Sequence, residues 1–142
     1  MNRLISLVLL VALLCPVIGF AQEAETIDFG AVVEQMSAQC PYTDGNWTVT
    51  SIALAADTIA VEIEAPASIS GFLSAFTGKS MNVKRLWVDH LKGYGDDWVH
   101  LVELIAEAGQ PSLMLTIKPR KSNDYASVFV TGKEIGTILA KH

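Results

Sequence analysis

Three short stretches alternate apolar and polar residues cleanly enough to fix the architecture around them. In Thr58–Glu64 the residues Ile59, Val61 and Ile63 share one face; in Ser112–Lys118 it is Leu113, Leu115 and Ile117; in Tyr125–Thr131 it is Ala126, Val128 and Val130. Successive side chains of a strand point to opposite faces. Each stretch is therefore read as a strand with one face to bury and the other left for water or a partner. A sheet of such strands calls for helices on one side only.

The helices are legible from their own period. Asp28 can cap a segment in which Phe29, Val32, Val33 and Met36 fall at i, i+3, i+4 and i+7, ending at Cys40-Pro41. Asp44-Gly45 then signals a turn, and Trp47–Leu54 is rich in strand formers, with a slip near Ser51-Ile52 that reads as a bulge. Ala56-Asp57 closes a hairpin onto Thr58–Glu64. The same grammar returns downstream. Asp97 is the expected cap for Trp98, Leu101, Val102 and Ile105, Gly109 ends that helix, and two strands follow around a turn at Lys121–Asp124. Asp28/Asp97, Phe29/Trp98, Val33/Val102 and Glu34/Glu103 are each 69 residues apart, which suits an internal αββ duplication over 28–66 and 97–131. Connecting helices are predicted behind Ser68 or Ser70 (Ile69, Phe72, Leu73, Phe76) and over Met81–Lys92, and Thr131–Glu134 is a capping box opening a C-terminal helix. The predicted fold is α+β: two αββ units with connecting and C-terminal helices, and a four-stranded antiparallel sheet with helices on one face.

The N-terminus has a different logic. Arg3 precedes the apolar run Leu4–Leu14, Pro16 breaks it, and Gly19-Phe20-Ala21 places small residues three and one positions before a cut. This three-part layout is that of a secretory signal peptide, predicting cleavage after Ala21 and a single domain over 22–142. Lipidation at Cys15 is the competing expectation, and the bulky Leu14 before it argues against it. Pro16 and Gly19 interrupt the run before the roughly 20 residues a membrane span needs, and no later stretch is long and apolar enough.

Without the leader only Cys40 remains, so no internal disulfide can form; next to Pro41 it reads as a small packed hydrophobe. Nine basic residues then face fifteen acidic ones, for a net charge of −6. That balance lacks the basic footprint of nucleic-acid binding. All nine bases lie in residues 79–142, while residues 22–78 hold eight acids and no Lys or Arg.

Motifs that carry chemistry fail on spacing or context. Gly78-Lys79-Ser80 resembles the end of a P-loop, but Leu73 stands where the first glycine belongs and the preceding segment reads as a helix. Asp96, Asp97, His100 and Glu103 are better explained as a charged helix start and its wet face than as metal ligands. Glu62 and Glu64 share one strand face about 7 Å apart, and read as solvated outer-face residues. Asn46-Trp47-Thr48 is a glycosylation sequon, meaningful on a eukaryotic secretory route. No catalytic residue, metal or cofactor is expected.

What remains is surface. The outward positions of the second hairpin hold Met114, Tyr125 and Phe129, with Lys118, Arg120 and Lys121 crowding its turn. Exposed apolar and aromatic groups gathered on one face mark interaction sites. The leader, the helix ending in Gln39-Cys40-Pro41, the strand opening at Trp47-Thr48-Val49 and the closing helix–hairpin–helix together resemble small exported domains of uncharacterised function from Bacteroidetes-type bacteria. That resemblance implies a periplasmic or extracellular setting and transfers no catalytic residue. The expected function is a non-enzymatic binding or protein-interaction module whose partner is a protein or small-molecule ligand. The alternatives are a small hydrolase-like enzyme, with Glu62, Glu64, or Asp96 and His100 converging in the fold, and a structural homodimer.

Overall fold

A computed structural model of the chain describes residues 27–141. The leader at 1–21, with Cys15, lies outside the described residues. The fold is α+β. Helix α1 (Phe29–Gln39) leads into strands β1 (Tyr42–Asp44), β2 (Trp47–Ala55) and β3 (Thr58–Ala65). A 3-10 segment (Ala67–Phe76), α2 (Met81–Lys92) and α3 (Asp96–Ala108) follow, and then β4 (Ser112–Pro119), β5 (Ala126–Val130) and α4 (Gly132–Ala140).

The sheet has five strands in the order β1-β2-β3-β4-β5, and it is mixed. Both points correct the four-stranded antiparallel expectation. β1 is three residues long, too short to show alternation, and is recruited by the tight turn Gly45-Asn46 that pairs Asp44 with Trp47. β3 and β4 are parallel, in register from Thr58↔Ser112 to Ala65↔Pro119. A parallel neighbour requires a long crossover, and the 3-10 segment, α2 and α3 supply it. Ser112 N–H to the Asp57 carbonyl (3.0 Å) and Arg120 N–H to the Ala65 carbonyl (2.9 Å) extend the ladder at its two ends. The bulge expected in β2 lies between Val49 and Ser51.

Strand phase follows the alternation. Val49, Ile52, Ile59, Val61, Ile63, Leu113, Leu115, Ile117, Val128 and Val130 are buried. They meet Val33 and Met36 of α1, Trp87, Val88 and Leu91 of α2, Trp98, Leu101, Val102 and Ile105 of α3, and Ile135 and Ile138 of α4 in one core. The helices therefore cover a single face.

Capping is mostly as expected. Asp28 accepts from Ala31 N–H at 3.0 Å, and Gly109 ends α3 in the left-handed region. Thr131 and Glu134 close a reciprocal box, Glu134 N–H to Thr131 Oγ1 at 3.1 Å and Thr131 N–H to Glu134 Oε1 at 2.9 Å. Two assignments shift. Gly95, not Asp97, is the N-cap of α3, which places Asp96 and Asp97 in its first turn, where carboxylates suit the helix dipole. The segment behind Ser68 and Ser70 is 3-10, with Pro66 at its N-cap and Phe72 off helical geometry. Three serines and Gly71 in ten residues give it weak α-propensity. None of the helices among the described residues is long and apolar enough to cross a membrane.

Candidate functional site

Because the helices take one face, the other face of the sheet is left open by the described residues, and its own residues fall into cross-strand rows. One row runs Ala53, Ala60, Met114, Phe129 and is apolar; the next runs Ser51, Glu62, Thr116, Ser127 and is polar. Met114 and Phe129 are direct cross-strand partners, and Phe129 remains 42 % exposed.

The parallel β3–β4 pairing sets charges beside each other on this face. Lys118 Nζ lies 3.4 Å from Glu62 Oε1, and Arg120 Nε donates to Glu64 Oε1 at 3.1 Å. Both pairs are solvent-exposed, so each adds little to stability; their effect is to hold four long side chains in place. The β4–β5 loop then rises over the face. It opens a cleft of about 480 Å³ floored by Glu62, Thr116 and Lys118 and walled by Ser122, Asn123, Asp124 and Tyr125. Asp124 N–H donates to Ser122 Oγ at 3.0 Å, fixing the loop, and Lys121 sits at its start with a φ of 60°. Tyr125 is 66 % exposed.

Of the residues expected from sequence, Lys118 and Tyr125 line this cleft and Met114 and Phe129 lie in the adjacent row. Arg120 is held by Glu64, and Lys121 lies on the turn, outside the cleft lining. Sequence reasoning missed Ser122, Asn123 and Asp124 as walls, having read them only as a turn. No sequence signal marked those walls, but one marked the β3–β4 pairing beneath them: Glu62 and Glu64 precede Lys118 and Arg120 by the same 56 residues, opposite charges at matched spacing.

A second cluster lies inside the fold, where the β1–β2 hairpin meets the end of α2. Trp47, Trp87, His90 and Tyr94 stack edge to face, with His90 4.9 Å from Trp47 and 5.2 Å from Trp87 between ring centroids. His90 Nε2 is hydrogen-bonded to the Tyr94 hydroxyl at 2.9 Å. Burial lowers the His90 pKa, and the nearby Asp44 carboxylate only partly opposes it. The sign follows. Below the unfolded value of about 6.5, the unfolded chain takes up a proton that folded His90 resists, so stability is full above that pH and falls as pH drops through it. Urea denaturation from pH 8 to pH 5 is expected to show this loss, and His90→Gln to flatten that part of the curve. Identical slopes for the two proteins would contradict it.

At the acidic start of α3, Asp97 is engaged by β1. Asp97 accepts the Tyr42 hydroxyl proton at 3.1 Å, and burial, followed by that bond, pushes the Tyr42 pKa up to about 12. His100 shares with Asp97 a small pocket of about 150 Å³ lined also by Val32, Gln35 and Met36. No group of three or more His, Cys, Asp or Glu suited to a metal occurs among the described residues. Cys40 is half-buried against the core, and burial pushes its thiol pKa up, away from a reactive thiolate. Ser80 of Gly78-Lys79-Ser80 caps α2, accepting from Val83 N–H at 3.2 Å. The sequence matches no protein-family model, no curated protein and no solved structure.

Proposed function

We propose that the protein is an exported, non-enzymatic binding module that engages its partner through the outer face of the sheet. The observation that carries this reading is exposed Phe129 with its half-buried cross-strand partner Met114 beside the Tyr125 cleft, on a face over which the described residues place no helix. Aromatic groups supply large contact area at low entropic cost and dominate binding hot spots. Of the carboxylates weighed for hydrolysis, Glu62 and Glu64 each hold a cation, which favours binding over catalysis for that pair.

The test places a photo-crosslinking residue at position 129 of the full chain in its host, and at Glu103 on the exposed side of α3 as control. An envelope component, or a second copy of the chain, is expected to be captured from 129 and not from 103. No adduct at 129, or equal adducts at both, would overturn the reading. In parallel, Phe129→Ser is expected to change stability by no more than about 1 kcal/mol. It should weaken association about tenfold or more, measured on the captured partner by calorimetry or, for self-association, by sedimentation.

A further inference from the structure

We infer that the cleft between the β3–β4 outer face and the β4–β5 loop binds a neutral saccharide, with Tyr125 as the platform for the sugar ring. This rests on the reading of the outer face as the binding surface and names what that surface takes.

Size admits a small ligand, because about 480 Å³ lies within the roughly 300–1,000 Å³ of ligand sites. Chemistry narrows the class. An apolar ligand finds carbon surface from the Tyr125 ring and the side-chain stems, but every lining side chain also ends in a hydroxyl, amide or charged group that it would leave without a partner. An anion meets two carboxylates, Glu62 and Asp124, and a single ammonium, Lys118, already 3.4 Å from Glu62. A cation finds Glu62 neutralised in the same way and only Asp124, a single solvent-exposed carboxylate, left to hold it, which is worth little in water. The lining instead mixes donors and acceptors around the Lys118–Glu62 ion pair, with Asp124 as the one unpaired charge among its ionisable groups. Thr116 and Ser122 offer hydroxyls that both give and take, Asn123 offers an amide with both, the carboxylates accept and Lys118 donates.

A ligand that uses such a set must itself carry several groups that both donate and accept, without net charge. Sugar hydroxyls do this. A pyranose also has a face of C–H groups that an exposed aromatic ring can cover, and Tyr125 presents its ring at 66 % exposure at the rim of the polar floor. Holding a ring with two side-chain torsions costs little entropy. Hydroxyls exchange water for protein hydrogen bonds at small net gain, so a single sugar is expected to bind at roughly millimolar strength.

The floor extends beyond the cleft. Ser51, Glu62, Thr116 and Ser127 lie in register across β2 to β5, a polar strip of roughly 14 Å at the usual strand spacing. Ala53, Ala60, Met114 and Phe129 run beside it as an apolar strip. This geometry suits a short oligosaccharide laid across the strands, with more than one unit in contact.

The experiment is a ¹H–¹⁵N NMR titration of the protein expressed from its full chain. The probes are chitotriose, maltotriose and cellotriose, their monosaccharides, inorganic phosphate and spermidine. At least one trisaccharide is expected to shift the amides of Thr116, Lys118 and residues 122–125 saturably, about tenfold more tightly than its monosaccharide. Tyr125→Ala should weaken this at least tenfold while the rest of the spectrum stays dispersed. If phosphate or spermidine moves these amides and no trisaccharide does, the ligand class is wrong while the outer-face reading stands. If nothing moves them but position 129 still gives its adduct, the saccharide site falls and the face survives. If the adduct is absent as well, both fall. Sugar binding unaffected by Tyr125→Ala would overturn the platform assignment.

Discussion

Gly132→Ala is expected to destabilise the protein by about 3 kcal/mol, a large share of the stability of a domain this size. Gly132 opens α4 and is buried, and a Cβ there would run into the Gly109 carbonyl oxygen and the Gln110 nitrogen. Those atoms are backbone and cannot swing aside. Gly109 is held in the left-handed region at φ 77°, with its N–H bonded to the Ile105 carbonyl at 2.7 Å. One turn later, a Cβ on Gly136 would sit 3.3 Å from the Ala106 carbonyl oxygen. The two glycines thus form an i, i+4 stripe that lets α4 approach α3 closely. Gly136→Ala should cost less, because a few tenths of an ångström of relaxation accommodate it. Urea denaturation of both variants checks the grading. A Gly132→Ala protein as stable as the parent would mean that the two helix ends are not packed as described.

Strand phase, four of the helices and most caps were legible because each depends on neighbours in sequence. Ile59, Val61 and Ile63 announce a buried face whatever pairs with them. Topology depends on distant segments, and there local pattern had less to offer. Nothing in Thr58–Glu64 or Ser112–Lys118 alone says that the strands are adjacent and parallel. The Glu62/Lys118 and Glu64/Arg120 spacing carries that information only once the two stretches are compared. β1 was invisible because three residues show no period, and Asp97 was taken for a cap because the glycine before Asp96 offers no side chain to recognise. On the candidate site, alternation placed Met114, Lys118, Tyr125 and Phe129 outward, but how the Lys121–Asp124 turn folds over the sheet is a property of the loop backbone. The cleft therefore could not be read in advance, although its rim could.

Trp98 of α3 and Phe129 of β5 put the core side and the outer side of the sheet to a common test, since both are aromatic residues in strongly patterned segments. Trp98, in the first turn of α3, is fully buried, with Tyr42 at 5.4 Å and Tyr94 at 5.9 Å between ring centroids. Trp98→Ala removes the largest contact area in that corner. It leaves a cavity beside Tyr42 of β1 and Tyr94 of the α2–α3 turn. Large-to-small aromatic replacements of this kind cost about 3–5 kcal/mol. At roughly 4 °C or more per kcal/mol for a domain near this size, the melting temperature should fall by more than about 12 °C. Tyr42→Phe, which keeps the ring and removes only the bond to Asp97, should cost no more than about 1 kcal/mol. Scanning calorimetry of Trp98→Ala, Tyr42→Phe and Phe129→Ser is expected to rank them in that way, with the large loss confined to Trp98. A comparable loss from Phe129→Ser would put that ring in the core and close the outer face as a binding surface, whereas a small loss from Trp98→Ala would show that α3 does not seal this corner.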